Sequence, residues 1–249
     1  MKQVMYGTVS ALALMLAVTG SASAAGTDQA SLAASATGNI VFGNVGAFTA
    51  IFGDNEIDSM AFENAKGAFN VGQNESVNSS VQQSMAIAVI DQRNDSSDSL
   101  KSPVDQLGLA ASVGLSDVSY NAAVLNLVTG HNELEDHAFQ HATGAFQVLQ
   151  NHSLNSGVSQ SMAIGAVITS DKDSDTPVFG HQTAVALSAL GSAVTGNLAI
   201  GNAVGTFSNT NSITDHAFQS ASGAFNVLQN SSVNSSVQQS MAIGAVVNK

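Results

Sequence analysis

His137 and His141 stand four residues apart in the run Glu135-Asp136-His137-Ala138-Phe139-Gln140-His141. On a helix that spacing brings two imidazoles onto one face, where they could hold a divalent metal. The matching positions elsewhere in the chain are Met60 and Asn64, and His216 and Ser220, so the pair does not recur and reads as surface histidine. Asp171-Lys172-Asp173-Ser174-Asp175 opens like a calcium loop, but Thr176 stands where the turn needs glycine and Gln182 where a bidentate glutamate belongs. Loose calcium binding is the most such acidic stretches offer. Asn74-Glu75-Ser76 and Asn78-Ser79-Ser80 match the glycosylation sequon, a match that any Asn/Ser-rich run generates by accident. There is no Gly-rich phosphate loop, no Gly-x-Ser-x-Gly elbow and no recurring His, Asp and Ser set. Each candidate serine nucleophile sits in a polar run with no positioned base. No catalytic, cofactor-binding or metal-ligating residue is assigned, and the chain is read as not an enzyme.

What does recur is a sentence of 27 residues. Ala61 to Ile87, Ala138 to Ile164 and Ala217 to Ile243 align without gaps, and eighteen of the 27 positions are the same in all three. Ten consecutive letters, NSSVQQSMAI, stand at both Asn78 to Ile87 and Asn234 to Ile243. Repetition at fixed spacing marks stacked architectures, in which each copy completes its burial against its neighbours. A looser upstream half precedes each copy, as TGNIVFGNVGAF from Thr37, YNAAVLNLV from Tyr120 and TGNLAIGNAVGTF from Thr195. The stretches between copies are rich in Asp and Ser and hold the two prolines, Pro103 and Pro177, which suit neither a strand ladder nor a charged stack.

Within a copy, every second residue from Ala65 is mostly apolar and the intervening set mostly polar or small, a strand period of two. Val77, Val81 and Met85 also fall four apart, but Asn-Ser-Ser and Gly-rich segments are poor in a helix interior. Stacked in register about 4.8 Å apart, each Asn or Gln would meet its own copy above and below and could both donate and accept along the pile. Asn70, Asn74, Asn78, Gln82 and Gln83 line up with Asn226, Asn230, Asn234, Gln238 and Gln239. The expected assembly core is Phe69, Asn74, Asn78, Gln83 and Met85, with Phe146, Asn151, Asn155, Gln160 and Met162, and Phe225, Asn230, Asn234, Gln239 and Met241. The phenylalanines and methionines, with Val71, Val81 and Ile87, are expected in a dry interior.

Composition agrees with a stack and narrows the partners. Cysteine and tryptophan are absent and aromatics are 5% of residues, so few large side chains can be buried and backbone and amide hydrogen bonds must carry much of the order. Met1 to Ala24, with Lys2, an apolar run from Val9 to Val18 and Ala22-Ser23-Ala24, is laid out like a secretory signal peptide; its core is too short for a membrane span. Past it, five basic residues face eighteen acidic ones, which argues against nucleic acid and anionic lipid as partners.

The line Asn64-Ala65-Lys66-Gly67-Ala68-Phe69-Asn70-Val71, continued through Asn78 to Gln82-Gln83-Ser84, resembles the repeats of the functional amyloid (Fap) fibril proteins of pseudomonads. The plan is also similar: signal peptide, three imperfect repeats, two dissimilar connectors, acidic balance and few aromatics. The repeats here are poorer in Gly and Asn, and the Cys-x-x-Cys of some members is missing. The resemblance implies an exported subunit that polymerises into extracellular biofilm fibrils, with a nucleating subunit and an outer-membrane secretion pore as partners.

The expected fold is all-β, a three-layer repeat forming a β-solenoid-like or cross-β stack. It divides into a signal peptide (1–24), an N-terminal segment (25–36), repeats at 37–90, 119–168 and 195–249, and connectors at 91–118 and 169–194. Each repeat is expected to be a strand-turn-strand layer. The expected function is a secreted structural protein that self-assembles at the cell surface, needs no cofactor and does not insert in membranes. The rival reading is a monomeric solenoid adhesin whose exposed Asn/Ser face meets carbohydrate or a surface.

Overall fold

A computed structural model describes residues 29–47, 50–94, 106–124, 127–171, 182–200 and 207–248, and among them all regular structure is strand. The first repeat supplies β1 (Gln29–Phe42), β2 (Val45–Ala47), β3 (Ala50–Ile57), β4 (Lys66–Val77) and β5 (Ser80–Asn94). The second supplies β6 (Gln106–Ser119), β7 (Ala122–Val124), β8 (Leu127–Leu134), β9 (Thr143–Leu154) and β10 (Gly157–Asp171). The third supplies β11 (Gln182–Thr195), β12 (Leu198–Ile200), β13 (Phe207–Ile213), β14 (Ser222–Asn230) and β15 (Ser236–Asn248). Each repeat is therefore one rung of five strands. Equivalent strands of the three rungs form five parallel three-stranded sheets, with the second repeat in the middle of every one.

Register is fixed to the residue. Phe69 pairs with Phe146 and Phe146 with Phe225, while Met162 pairs with both Met85 and Met241. The chain turns its corners with left-handed residues, which is why Asn and Gly recur there. Asn78, Asn155 and Asn234 have φ of 54°, 48° and 51°, and Gly43, Tyr120 and Gly196 have 69°, 55° and 64°. Asn tolerates this region better than most side chains. The DSMAFENA, EDHAFQHA and TDHAFQSA segments make turns, so His137 and His141 do not share a helical face; His137 instead lies flat on His216, ring centres 5.3 Å apart.

Within a rung the chain doubles back so that β5 lies between β4 and β1. One parity of β5 faces β4, where Gln83 Nε2 donates to the Val71 carbonyl at 2.8 Å. The other parity faces β1, where Ala86 and Ala88 pack with Ala33 and Ala110. Small residues on both surfaces let these two sheets approach closely: a Cβ on Gly165 would come within 2.4 Å of the Val185 carbonyl oxygen. The largest apolar cluster lies on the far side of β4, where Phe139, Phe146 and Leu134 are wholly buried with Ile57 and Val148.

The repeat is longer than its recurring letters suggested. The expected connectors, 91–118 and 169–194, contain β6 and β11 and the ends of β5 and β10, and the expected N-terminal segment contains most of β1. Equivalent strands β1, β6 and β11 share a pattern of small residues and only scattered identities, such as Ala33/Ala110/Ala186 and Ser35/Ser112/Ser188, so comparison by identity passes over them. The upstream alignment also shifts: Phe42-Gly43-Asn44, not Thr37-Gly38-Asn39, stands with Thr195-Gly196-Asn197. Met1 to Ala24, both prolines and Lys172 to Thr176 lie outside the described residues.

Candidate assembly site

Five columns of like amides run along the stack. In one, Asn151 Nδ2 donates to Asn74 Oδ1 and Asn230 Nδ2 to Asn151 Oδ1, both at 2.7 Å. In the next, Gln229 donates to Gln150 and Gln150 to Gln73, both at 2.8 Å. Gln83 donates to Gln160 at 3.0 Å and Gln160 to Gln239 at 3.3 Å, with the opposite polarity. Asn55, Asn132 and Asn211 repeat that polarity at 2.8 Å per step. A fifth column sits at the first corner, where the backbone N–H of Asn44 donates to Asn121 Oδ1 and that of Asn121 to Asn197 Oδ1.

Columns fail where the letters differ. Gln82 has Ser159 beside it and Asn70 has Gln147, and the amides of Gln82 and Gln147 lie buried without a hydrogen-bond partner. A serine is too short, and a glutamine too long, to meet its neighbour at one strand spacing. Asn78 and Asn155 make no column either. Holding corners, they send Nδ2 sideways to the carbonyls of Ala122 and Leu198.

Phe69, Phe146 and Phe225 stack with centroids 5.0 and 4.9 Å apart and planes within 11° and 2°. Phe62, Phe139 and Phe218 form a parallel column at 4.9 and 5.0 Å, edge-on to the first. Met162 is wholly buried. Burying one such ring is worth about 2–3 kcal/mol, against about 1 kcal/mol net for one amide bond. Ring for bond, a buried phenylalanine therefore contributes more cohesion than an amide contact. An amide left buried and unpaired costs about 1–3 kcal/mol, so the amide columns set register by penalising every other one.

A serine column went unread in the sequence. Ser84 bonds both Ser35 at 3.0 Å and Ser112 at 2.6 Å; Ser161 follows on Ser112 at 2.8 Å and Ser188 on Ser161 at 2.7 Å. It zigzags between the β1 and β5 sheets, joining Ser84 and Ser161 to the serines Ser35, Ser112 and Ser188 that recur at one level of β1, β6 and β11.

Ionisable groups also gather beside β3 and β8. His152, wholly buried, holds Nδ1 3.5 Å from Glu75 Oε2, and His131 Nδ1 lies 3.8 Å from Asp54 and 3.6 Å from Glu133. Burial pushes the His152 imidazole below its usual range, while Glu75 and Asp54 pull it back up. Nearby, Glu56, Asp58 and Glu135 bring carboxylate oxygens within 4.8 Å of one another. The Glu135 carboxyl is raised, chiefly by its hydrogen bond with Glu56. Gly130 leaves room for His152: a Cβ there would meet the Gly53 carbonyl oxygen and stand 2.4 Å from the His152 ring, and rung three has Asn209 and Ser231 at the levels of Gly130 and His152.

A groove of about 550 Å³ lies elsewhere, between the starts of β4, β9 and β14 and the isoleucines Ile87, Ile164 and Ile243, and its lining is apolar. It brings no ionisable group to a cavity. The stack ends in open edges: β1 to β5 on one side, β11 to β15 on the other, are edge strands of their sheets. Compared with known proteins, the chain matches no protein family, no curated protein and no solved structure.

Proposed function

We propose that this chain is an exported structural subunit that polymerises end to end into extracellular, amyloid-like fibres of a surface or biofilm matrix. The observation that carries the reading is the pair of open ends: five parallel edge strands on each side, uncapped by any other element among the described residues. Solenoids that stay monomeric cover such edges. Here the third rung of one molecule can receive the first rung of the next as the second receives the first within a chain. The amide columns continue in the right sense. Asn74 is the next donor and Asn230 of a neighbour the next acceptor, while Gln239 would donate onward to Gln83.

Charge favours the same polarity. The first rung carries Asp54, Glu56, Asp58, Glu63, Glu75 and Asp91 against Lys66 and Arg93, whereas the third carries Asp215 alone among its described residues. Joining third to first sets Thr210 and Ser212 at the levels of Asp54 and Glu56, whereas joining two first rungs would oppose acid to acid. A head-to-tail contact of this kind does not close on itself and makes a filament. Secretion through an outer-membrane pore and nucleation by a second subunit belong to this proposal through the Fap resemblance. Burial of Asn151, Ser153, Asn155, Ser156 and Ser159 in the middle rung supports stacking over the adhesin reading, whose Asn/Ser face would be confined to positions such as Asn234, Ser236, Gln238 and Ser240.

Purified chain lacking residues 1–24 should polymerise after a lag, elongate from seeds without one, and diffract at about 4.8 Å along the fibre. A chain that stays monomeric when concentrated and seeded would overturn the proposal.

A further inference from the structure

The apolar groove runs parallel to the stack, so its length grows with every molecule added. One wall is the Gly-Ala pair at the start of β4, repeated in β9 and β14; the other is the column Ile87, Ile164 and Ile243. The notch is imposed by the backbone: Gly144 has φ of 140° and a Cβ there would lie 1.9 Å from the Gly67 carbonyl oxygen. Beyond the isoleucines the same face of β5 and β15 leaves Val89 and Val247 45% and 37% exposed. A ridge thus stands beside the apolar notch, made of Val89 and Asp91 in the first rung, Ala166 and Ile168 in the second and Ala245 and Val247 in the third, apolar at every level except Asp91.

We propose that this strip joins two parallel stacks of the same chain into a paired fibre. The inference rests on the end-to-end polymerisation proposed above. A twofold axis along the stack places the ridge of each copy in the notch of the other, the self-complementary arrangement of a twofold contact and of dry interfaces between paired sheets. Charge agrees. In the first rung Lys66 borders the glycine wall and Asp91 continues the isoleucine wall, and the same axis turns Lys66 of one stack toward Asp91 of the other. Rungs two and three have Thr143 with Ile168 and Ser222 with Val247 at those levels, so neither charge meets its like.

Area sets when pairing begins. With strands about 4.8 Å apart and a strip roughly 10 Å wide, one molecule offers on the order of 150 Å². A stable contact takes about 800 Å² per partner, so pairing requires stacks of roughly five molecules and no dimer of single chains forms through this face.

Mass per unit length, measured by scanning transmission electron microscopy on unstained fibres, tests it. A single stack holds one chain per three strand spacings, about 14 Å. The expected result is two chains per that length for the unaltered chain, one for Lys66→Glu, and two again for Lys66→Glu with Asp91→Lys. Ile87→Asp, Ile164→Asp and Ile243→Asp together should also give single stacks. Single stacks from the unaltered chain overturn the pairing alone, the more so if 1-anilinonaphthalene-8-sulfonate fills the groove, which would make it a small-molecule site. Paired fibres that survive Lys66→Glu place the contact on another face and overturn it too. Absence of any fibre overturns the proposed function, and the pairing with it.

Discussion

At the scale of single residues, the three copies are alike in kind but not in charge, and the exceptions sit where rungs meet. One column position carries Glu75 in the first rung and the wholly buried His152 in the second. Because burial lowers the His152 pKa below the ordinary histidine value of about 6.5, the unfolded chain takes up its proton at a higher pH than the folded chain does. The stability tied to the neutral ring is therefore fully present above that value and is lost as pH falls toward the folded pKa, with a slope of at most about 1.4 kcal/mol per pH unit. Glu135 works in the other sense: its pKa is raised, so its contribution is present below the carboxylate range and lost as pH rises through its folded value. The two separate by mutation. His152→Ser, which gives the second rung a residue the third already uses nearby at Ser231, should unfold at nearly the same temperature at pH 7.5 and pH 5.5. The unaltered chain should melt lower at pH 5.5. Equal slopes for both proteins in scanning calorimetry would remove His152 from this role.

Among elements, the strands that recur letter for letter were open to reading and those that recur only in kind were not. The β4 to β5 segment of each rung announces itself through NSSVQQSMAI and its edited copy, because amide columns work only between identical lengths. The β1 strands are bound by alanine and serine packed against β5, which tolerates QASLAASATGNIVF, QLGLAASVGLSDVS and QTAVALSALGSAVT equally. A closing face of small residues constrains size and not identity, so self-comparison places these strands in the connectors. Asn78, Asn155 and Asn234 mislead for the opposite reason, since their recurrence comes from a backbone need and not from an amide column. At Asn155 that need is separable. Asn155→Gly keeps the left-handed corner open and should cost less than Asn155→Ala, whose Cβ adds about 1–2 kcal/mol of backbone strain. Chemical denaturation of the two variants gives the difference directly, and equal losses would assign the residue to its bond with Leu198 instead.

On the scale of the whole molecule, stability divides into rungs and the faces between them, as in other quasi-one-dimensional folds. Two internal faces, first on second and second on third, hold the described chain together, and the first and third rungs present edge strands outward. On the proposed end-to-end assembly the middle rung is dispensable for end recognition, while it is the centre of every sheet within the chain. Removing residues 106–181 would leave Gln29 to Asn94 and Gln182 to Asn248 joined by the segment 95–105, the same segment that already leads into the next rung. In that shortened chain the first rung meets the third directly, the junction proposed between molecules, with Thr210 and Ser212 beside Asp54 and Glu56 in place of His131 and Glu133. It loses one of two internal faces and the buried Phe139 and Phe146, so it should unfold at markedly lower denaturant. Both of its end faces remain those of the unaltered chain. It should therefore elongate unaltered seeds and give fibres with one chain per two strand spacings, about 10 Å, in place of three. Seeds of the unaltered chain that refuse it, while the shortened chain still folds by circular dichroism, would show that growth is not governed by the outer faces of the first and third rungs.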